Sequence, residues 1–372
     1  MFRDGTCLRR RRFVWLRWVR FGVKRVGPRY HLRTVKAIVK ARPAPGIEIH
    51  EVDVPSVGPL DVKLQLKAAS VCGTDLHIYE WDAWSAGRIV PPRIIGHEFC
   101  GTIVEIGSEV TDRKVGDFVS SESHVVPLDS PWMTAGLGHV APETKILGVD
   151  IDGGFADFAV MPWWNARLTS PSVPPHLACF QDAFGNAVHT AMAGPVAGQT
   201  ILITGLGPIG LFAVAVCRAL GAARVVGVEP SAYRRQLAET LGIDAVYAPD
   251  AVGLAAEIGT VDATLEMSGH PGSLRLAIEQ TRPGGRISLL GVYRQATQEL
   301  PINDVIFKGL QLQGIVGRKL WETWDQMAEL FASGRLHLDP VVTHQMHFTE
   351  FEKAMELLQM GQAGKVVFTF DA

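Results

Sequence analysis

The feature that most constrains the fold is a glycine pattern set between two apolar runs. Thr200 to Thr204 reads TILIT, Gly205-x-Gly207-x-x-Gly210 follows at once, and LFAVAVCRAL then runs to Gly221. Strand, glycine turn and apolar helix in that order predict the first βα unit of a nucleotide-binding domain. The first glycine makes the turn, the second lets the backbone approach a pyrophosphate, and the third packs helix on strand. The unpaired N–H groups at the helix start then face the phosphates. The next strand, Arg224 to Val228, ends in Glu229, nineteen residues past Gly210, where an acid hydrogen-bonds the ribose hydroxyls of NAD. Further alternation (YRRQLAETLG, DAVYA, DATLEMSG, SLRLAIEQT, GRISLLGV, LQLQGIVG) predicts an α/β, Rossmann-type, doubly wound parallel sheet over 181–317.

The chain before this domain reads differently. From Val35 to about Val119, short Val- and Ile-rich runs punctuated by Pro and Gly predict a compact β domain. Inside it, Val71 to Glu98 gathers residues suited to metal and proton chemistry. Cys72, His97 and Glu98 are a thiolate, an imidazole and a carboxylate, types that zinc accepts while keeping one position open. Thr74, Asp75 and His77 lie between them, and a hydroxyl and an imidazole near the thiolate are what a proton exit path needs. A lone Cys or His is more often a core residue than a ligand, so on residue type alone both readings of Cys72 stand.

The string CGTDLHIYEWDAW, followed by GHE-x-x-G, resembles the catalytic-zinc segment of the medium-chain, zinc-dependent alcohol dehydrogenases. From Val35 to the C-terminus the strings FGNAVHTA, EMSG, VIFKGLQLQGI-x-GR, ETW and GQAGKVV bring the chain nearest the branch of that family that acts on L-threonine. The resemblance implies zinc ligands at Cys72, His97 and Glu98, a proton relay through Thr74 and His77, and a histidine beside the active site at His124. It brings Asp182 near the zinc, as a ligand or as a partner of the ligands. It also implies that Ile209, Arg234, Leu290, Gly291, Val292, Ile315 and Val316 join Gly205, Gly207, Gly210 and Glu229 around NAD.

The implied architecture is a β-rich, GroES-like catalytic domain formed by residues 35–180 and 318–372, interrupted by the NAD domain. WETWDQMAELFASG and EFEKAMELLQMG are amphipathic helix candidates, and KVVFTF is a closing strand. The implied reaction oxidises the β-hydroxyl of L-threonine to 2-amino-3-oxobutanoate, with hydride transfer to NAD, in a cytoplasmic homotetramer. A related zinc enzyme acting on a diol or polyol, or a non-catalytic nucleotide-binding homologue, are the alternatives. Relatives carry four cysteines around a second, structural zinc. Here Pro127, Ser130, Met133 and Ala141 stand in those places, so one catalytic zinc and no structural zinc are expected, with the lobe 124–148 either held by packing through Trp132 and Met133 or mobile.

Composition limits what else the chain can be. Its 372 residues are 47% apolar and 20% charged, enough for two domains with their own cores. No apolar run reaches the roughly 18 residues of a membrane span. The five cysteines are odd in number and scattered, which argues against a disulfide framework, and Cys100 and Cys217 read as core residues. Residues 1–34 hold eleven of the 36 Lys and Arg and a single acid, leaving 25 basic against 37 acidic residues in the remainder. A basic patch confined to a tail does not make the acidic body a nucleic-acid binder. A start read through from upstream of Val35, a targeting leader and a functional basic tail remain open for this segment.

Overall fold

The computed structural model describes residues 33–371, so the expectations for 1–34 lie outside the described residues except at their last two positions. The first domain runs through β1 (Thr34–Lys40), β2 (Glu48–Asp53), β3 (Asp61–Ser70), α1 (Gly73–Glu80), α2 (Ala83–Arg88), β4 (Arg93–Ile94), β5 (Glu98–Ile106) and β6 (Phe118–Ser121). It continues with β7 (His124–Val125), α3 (Pro131–Thr134), β8 (Lys145–Ile146), β9 (Phe158–Pro162), β10 (Ala166–Leu168) and α4 (Pro175–Ala178). The antiparallel pairing of β3 with β5 is the spine of this domain and sets Ser70 opposite Glu98 and Leu66 opposite Gly101. Gly101 is required there, because a Cβ would lie 2.3 Å from the Gln65 carbonyl oxygen. Alternation along β3 sends Val62, Leu64 and Leu66 into a core shared with Phe99, Phe155 and Phe368, each such side chain contributing about 1.5–3 kcal/mol on burial.

The long helix α5 (Gln181–Met192) leads from this domain into the next and is buried along nearly its whole length. There β11 (Thr200–Thr204), α6 (Pro208–Ala219), β12 (Arg224–Val228), α7 (Ala232–Thr240), β13 (Ala245–Tyr247), α8 (Leu254–Ile258), β14 (Val261–Glu266), α9 (Pro271–Gln280), β15 (Thr281–Leu289), α10 (Ile302–Lys308) and β16 (Gln311–Gly314) alternate. The six strands form one parallel sheet in the order β13-β12-β11-β14-β15-β16. The order reverses direction beside β11, so the glycine turn after it opens at a switch point where such sheets bind ligands. Phe180 and Phe184 pack on Phe212 of α6, the first ring stacked at 4.9 Å.

After α11 (Glu322–Ala332) come β17 (Val342–His347), α12 (Phe351–Gln359) and β18 (Lys365–Thr369). β18 pairs antiparallel with β3, Val367 opposite Ser70, so the last strand of the chain sits in the sheet of the first domain. In the lobe after β7, Met133 and Trp321 pack against Val126, Ala141 and Leu320. Trp132, expected to help hold this lobe, points outward and is 38% exposed. The reason is the start of α3: Ser130 caps it by accepting from the Trp132 N–H, which fixes Met133 as the inward residue. Among the described residues, no helix is long and apolar enough to cross a membrane.

Candidate active site

Cys72 is the N-cap of α1, and Asp75 folds back to accept from the Cys72 N–H at 2.8 Å. Its thiol therefore stands at a helix start. In the short link before β5, Gly96 adopts φ +90°, and a Cβ there would lie 2.2 Å from the Phe155 ring, so glycine brings His97 and the start of β5, Glu98, to the site. The result is one cluster: a sulfur of Cys72, a ring nitrogen of His97 and a carboxylate oxygen of Glu98 lie within 4.8 Å of one another. Glu98 Oε2 accepts from Ser70 Oγ and from Lys365 Nζ, which also donates to the Val71 carbonyl at 3.1 Å. Glu98 Oε1 is buried without a hydrogen-bond partner. An orphan carboxylate oxygen beside a thiol and an imidazole is the arrangement a cation satisfies, and the donor set fits zinc. His97 Nδ1 lies 4.0 Å from Asp75 Oδ1, a carboxylate behind a ligating histidine.

Cys72, His97, Glu98 and Lys365 line a cavity of about 590 Å³. Thr74 and His77 stand in the same wall, with Thr74 Oγ1 3.8 Å from Cys72 Sγ. His77 is largely exposed, and its Nδ1 lies 2.8 Å from Asp82 Oδ2. The chain reaches Asp82 through Trp81, the only non-glycine residue with positive φ among the described residues (φ 56°, ψ 50°). That conformation costs about 1–2 kcal/mol for a residue with a Cβ. Lys40 offsets it from below: its Nζ donates to the carbonyls of Ala44, Gly46 and Ile78 and sits 4.5 Å over the Trp81 ring. Burial pulls the Lys40 pKa down to about 8.

His124 also faces the cavity. Burial, reinforced by the charge of Arg318, pulls its pKa down to about 4 and keeps it neutral near pH 7. Gly317 packs against it, and a Cβ at that glycine would meet the His124 ring at 2.5 Å. Asp182 reaches the cavity from α5 but stands outside the metal-capable cluster. Its Oδ1 accepts from the Ser123 N–H at 2.8 Å and lies 2.8 Å from Arg318 Nη2.

Arg318 is the residue that reading the sequence missed. Fully buried, it grips both carboxylate oxygens of Glu122, donates to the Asp182 carbonyl and to Asn186 Oδ1, and has Trp324 Nε1 as a fellow donor to Glu122. The only sequence signal was the GR dipeptide in a family-like string. Burial raises the pKa of Asp182 to about 6 against the opposing charge of Arg318, with the Glu122 carboxylate adding to the rise. Glu122 itself is pushed up by burial but brought down to about 2 by Arg318 and the Trp324 bond.

The glycine turn has the geometry its spacing predicts. Gly205 takes φ +84°, Gly207 has open space where a Cβ would stand, and a Cβ on Gly210 would lie 2.0 Å from the Gly205 carbonyl oxygen. Gly207, Ile209, Gly210, Arg234 and Val316 line the cavity. Glu229 is buried at the strand end, its Oε2 accepting from the Leu206 N–H at 2.7 Å and its Oε1 from the Ser231 N–H at 3.0 Å. Leu290, Gly291, Val292 and Ile315 are not in the cavity wall. Val292 is 91% exposed, whereas Ile315 is buried in the protein.

Residues 58–171 match the alcohol dehydrogenase GroES-like domain and residues 208–333 the zinc-binding dehydrogenase domain. The chain is 46% identical to an L-threonine 3-dehydrogenase of Thermococcus kodakarensis over 90% of this chain and 97% of that protein. It is 44% identical to one of Symbiobacterium thermophilum over 91% and 98%. Among solved structures it resembles 2R,3R-butanediol dehydrogenase from Bacillus subtilis, with TM-score 0.81 and 25% identity over 91% of this chain and 100% of that one. An alcohol dehydrogenase from E. coli CFT073 complexed with NADH gives TM-score 0.84 and 26% identity over 91% and 100%.

Proposed function

Because the chain belongs to the L-threonine 3-dehydrogenase family of zinc-binding dehydrogenases, we propose that it oxidises the β-hydroxyl of L-threonine to 2-amino-3-oxobutanoate, using NAD and zinc. The observation that carries this reading is the presence of the Cys72, His97 and Glu98 cluster and of the glycine turn in the lining of one cavity. When bound, zinc supplies Lewis-acid polarisation of a hydroxyl, and NAD supplies the hydride acceptor.

The chain's own residues have separable tasks. Cys72, His97 and Glu98 hold the metal, with Ser70 and Lys365 fixing the Glu98 carboxylate through its other oxygen. Thr74 and His77 take the hydroxyl proton from the substrate side of the cavity to its exposed rim. Neutral His124 offers a ring nitrogen to the substrate, and Asp182, tied to Arg318, shapes the wall beside the metal. Gly207 and Gly210 admit the pyrophosphate, and Glu229 takes the ribose hydroxyls. The assembly in this reading is a cytoplasmic homotetramer, supported by the family resemblance; light scattering on purified protein tests the subunit number.

The substrate is tested by an NAD-reduction panel of L-threonine, L-serine, 2,3-butanediol, sorbitol and ethanol. L-threonine should give the highest kcat/KM. A clear win for a diol would overturn the threonine assignment while sparing zinc and NAD, and no turnover of any member would favour a non-catalytic protein.

A further inference from the structure

We propose that Asp82 is the positioning residue for His77: it fixes the imidazole as the Nδ1–H tautomer, so that Nε2 is the free proton acceptor of the relay. The proposal deepens the relay reading of His77 and rests on it. Three observations carry it. Asp82 divides its carboxylate, one oxygen 2.8 Å from His77 Nδ1 and the other accepting from the Ser85 N–H at 2.9 Å as the cap of α2. An ionised carboxylate only accepts hydrogen bonds, so the ring nitrogen facing it must carry the proton. The Ser85 N–H, opposed by burial, holds the Asp82 pKa below the usual carboxylate range, and the group stays ionised.

The second observation is the backbone. A left-handed Trp81 turns the chain so that Asp82 returns to a residue one helical turn behind it, and the buried Lys40 holds that corner through three carbonyls and the Trp81 ring. Strain of this kind persists where the surroundings over-determine it, and it gathers at functional sites. The third is the ring's setting. Trp84 meets His77 edge-on at 6.4 Å, and both line the cavity. The proton balance is simple: the substrate O–H bond breaks, the proton passes by way of Thr74 to His77 Nε2, the imidazolium is held by Asp82, and the same Nε2–H bond breaks to release the proton to solvent.

The deciding variant is Asp82→Asn. Asn still caps α2, since its side-chain oxygen accepts from Ser85 N–H, but its amide then faces His77 Nδ1 with a donor and reverses the tautomer. In the zinc-loaded enzyme kcat should fall roughly ten- to hundredfold with little change in KM, and free imidazole should restore part of the loss. The ring ¹⁵N signals of selectively labelled His77 should show the proton moving from Nδ1 to Nε2. In a His77→Ala background the same substitution should add nothing. Asp82→Ser, which caps without a carboxylate, decides the matter if Asp82→Asn does not fold. Unchanged kcat in Asp82→Asn with an impaired His77→Ala enzyme would overturn the positioning role alone. A further loss in the His77→Ala background would assign Asp82 to structure and overturn it as well. Full activity of His77→Ala would overturn the relay reading itself.

Discussion

The proposed ribose contact of Glu229 starts from a carboxylate whose orientation is already set. The Leu206 and Ser231 amides hold its two oxygens, and each oxygen keeps a further lone pair for a ribose hydroxyl. A 2′-phosphate there would face a fixed like charge and would remove those bonds. The combined cost is about 3 kcal/mol, or roughly a hundredfold in kcat/KM. NADP should therefore be the poorer cofactor by that margin in steady-state assays, and equal efficiency with both would refute the role given to Glu229. Arg234 Nη1 lies 3.9 Å from Glu229 Oε1, so its charge is already paired with that carboxylate.

At the scale of elements, the Glu122, Arg318 and Asp182 network ties the segment after β6 to α5 and to the turn after β16. Removing one partner of a buried pair leaves an uncompensated charge and costs about 3–5 kcal/mol. Glu122→Gln should fall at the lower end, because Asp182 still faces Arg318. The pH dependence has a definite sign. The folded pKa of Glu122, about 2, lies below the roughly 4.3 of an unfolded glutamate. Its contribution is therefore complete above pH ~4.3 and is lost as pH falls from there through about 2. Asp182, raised to about 6, acts oppositely: protonation relieves its burial as pH falls from about 6 toward the unfolded value near 3.9. Urea midpoints measured across this range should show the wild type losing stability below pH ~4 and Glu122→Gln losing less there. Parallel curves for the two proteins would contradict the pairing.

For the whole molecule the informative quantity is metal stoichiometry. The lobe where relatives place a second zinc is closed by Met133, Val126, Ala141 and Leu320, and none of the four supplies a ligand that zinc favours. Elemental analysis of metal-replete protein should give one zinc per chain, and a ratio near two would defeat the expectation. Cys72→Ala should lose that zinc and the activity together, because the remaining imidazole and carboxylate hold the ion poorly. The fold should survive the loss, since the first domain's core of Phe99, Phe155, Phe348 and Phe368 is independent of the metal.

The features legible in the sequence were local in origin. The strand, glycine turn and helix at Thr200 to Leu220, the acid at Glu229 and the alternation that follows are written in neighbouring residues, because period and backbone freedom act over a few positions. The dense Val71 to Glu98 stretch gathered candidate metal ligands in the same local way, though only the family resemblance favoured a metal there over core packing. The partners that hold these residues come from the folded chain. Lys365 reaches Glu98 across 267 positions because β18 joins β3 in one register, and Arg318 reaches Glu122 across 196. No periodicity encodes such partners; packing and strand order choose them. Even the near pair of His77 and Asp82 needed the left-handed turn at Trp81, a conformation that Trp disfavours and that Lys40, contacting the corner from β1, sustains.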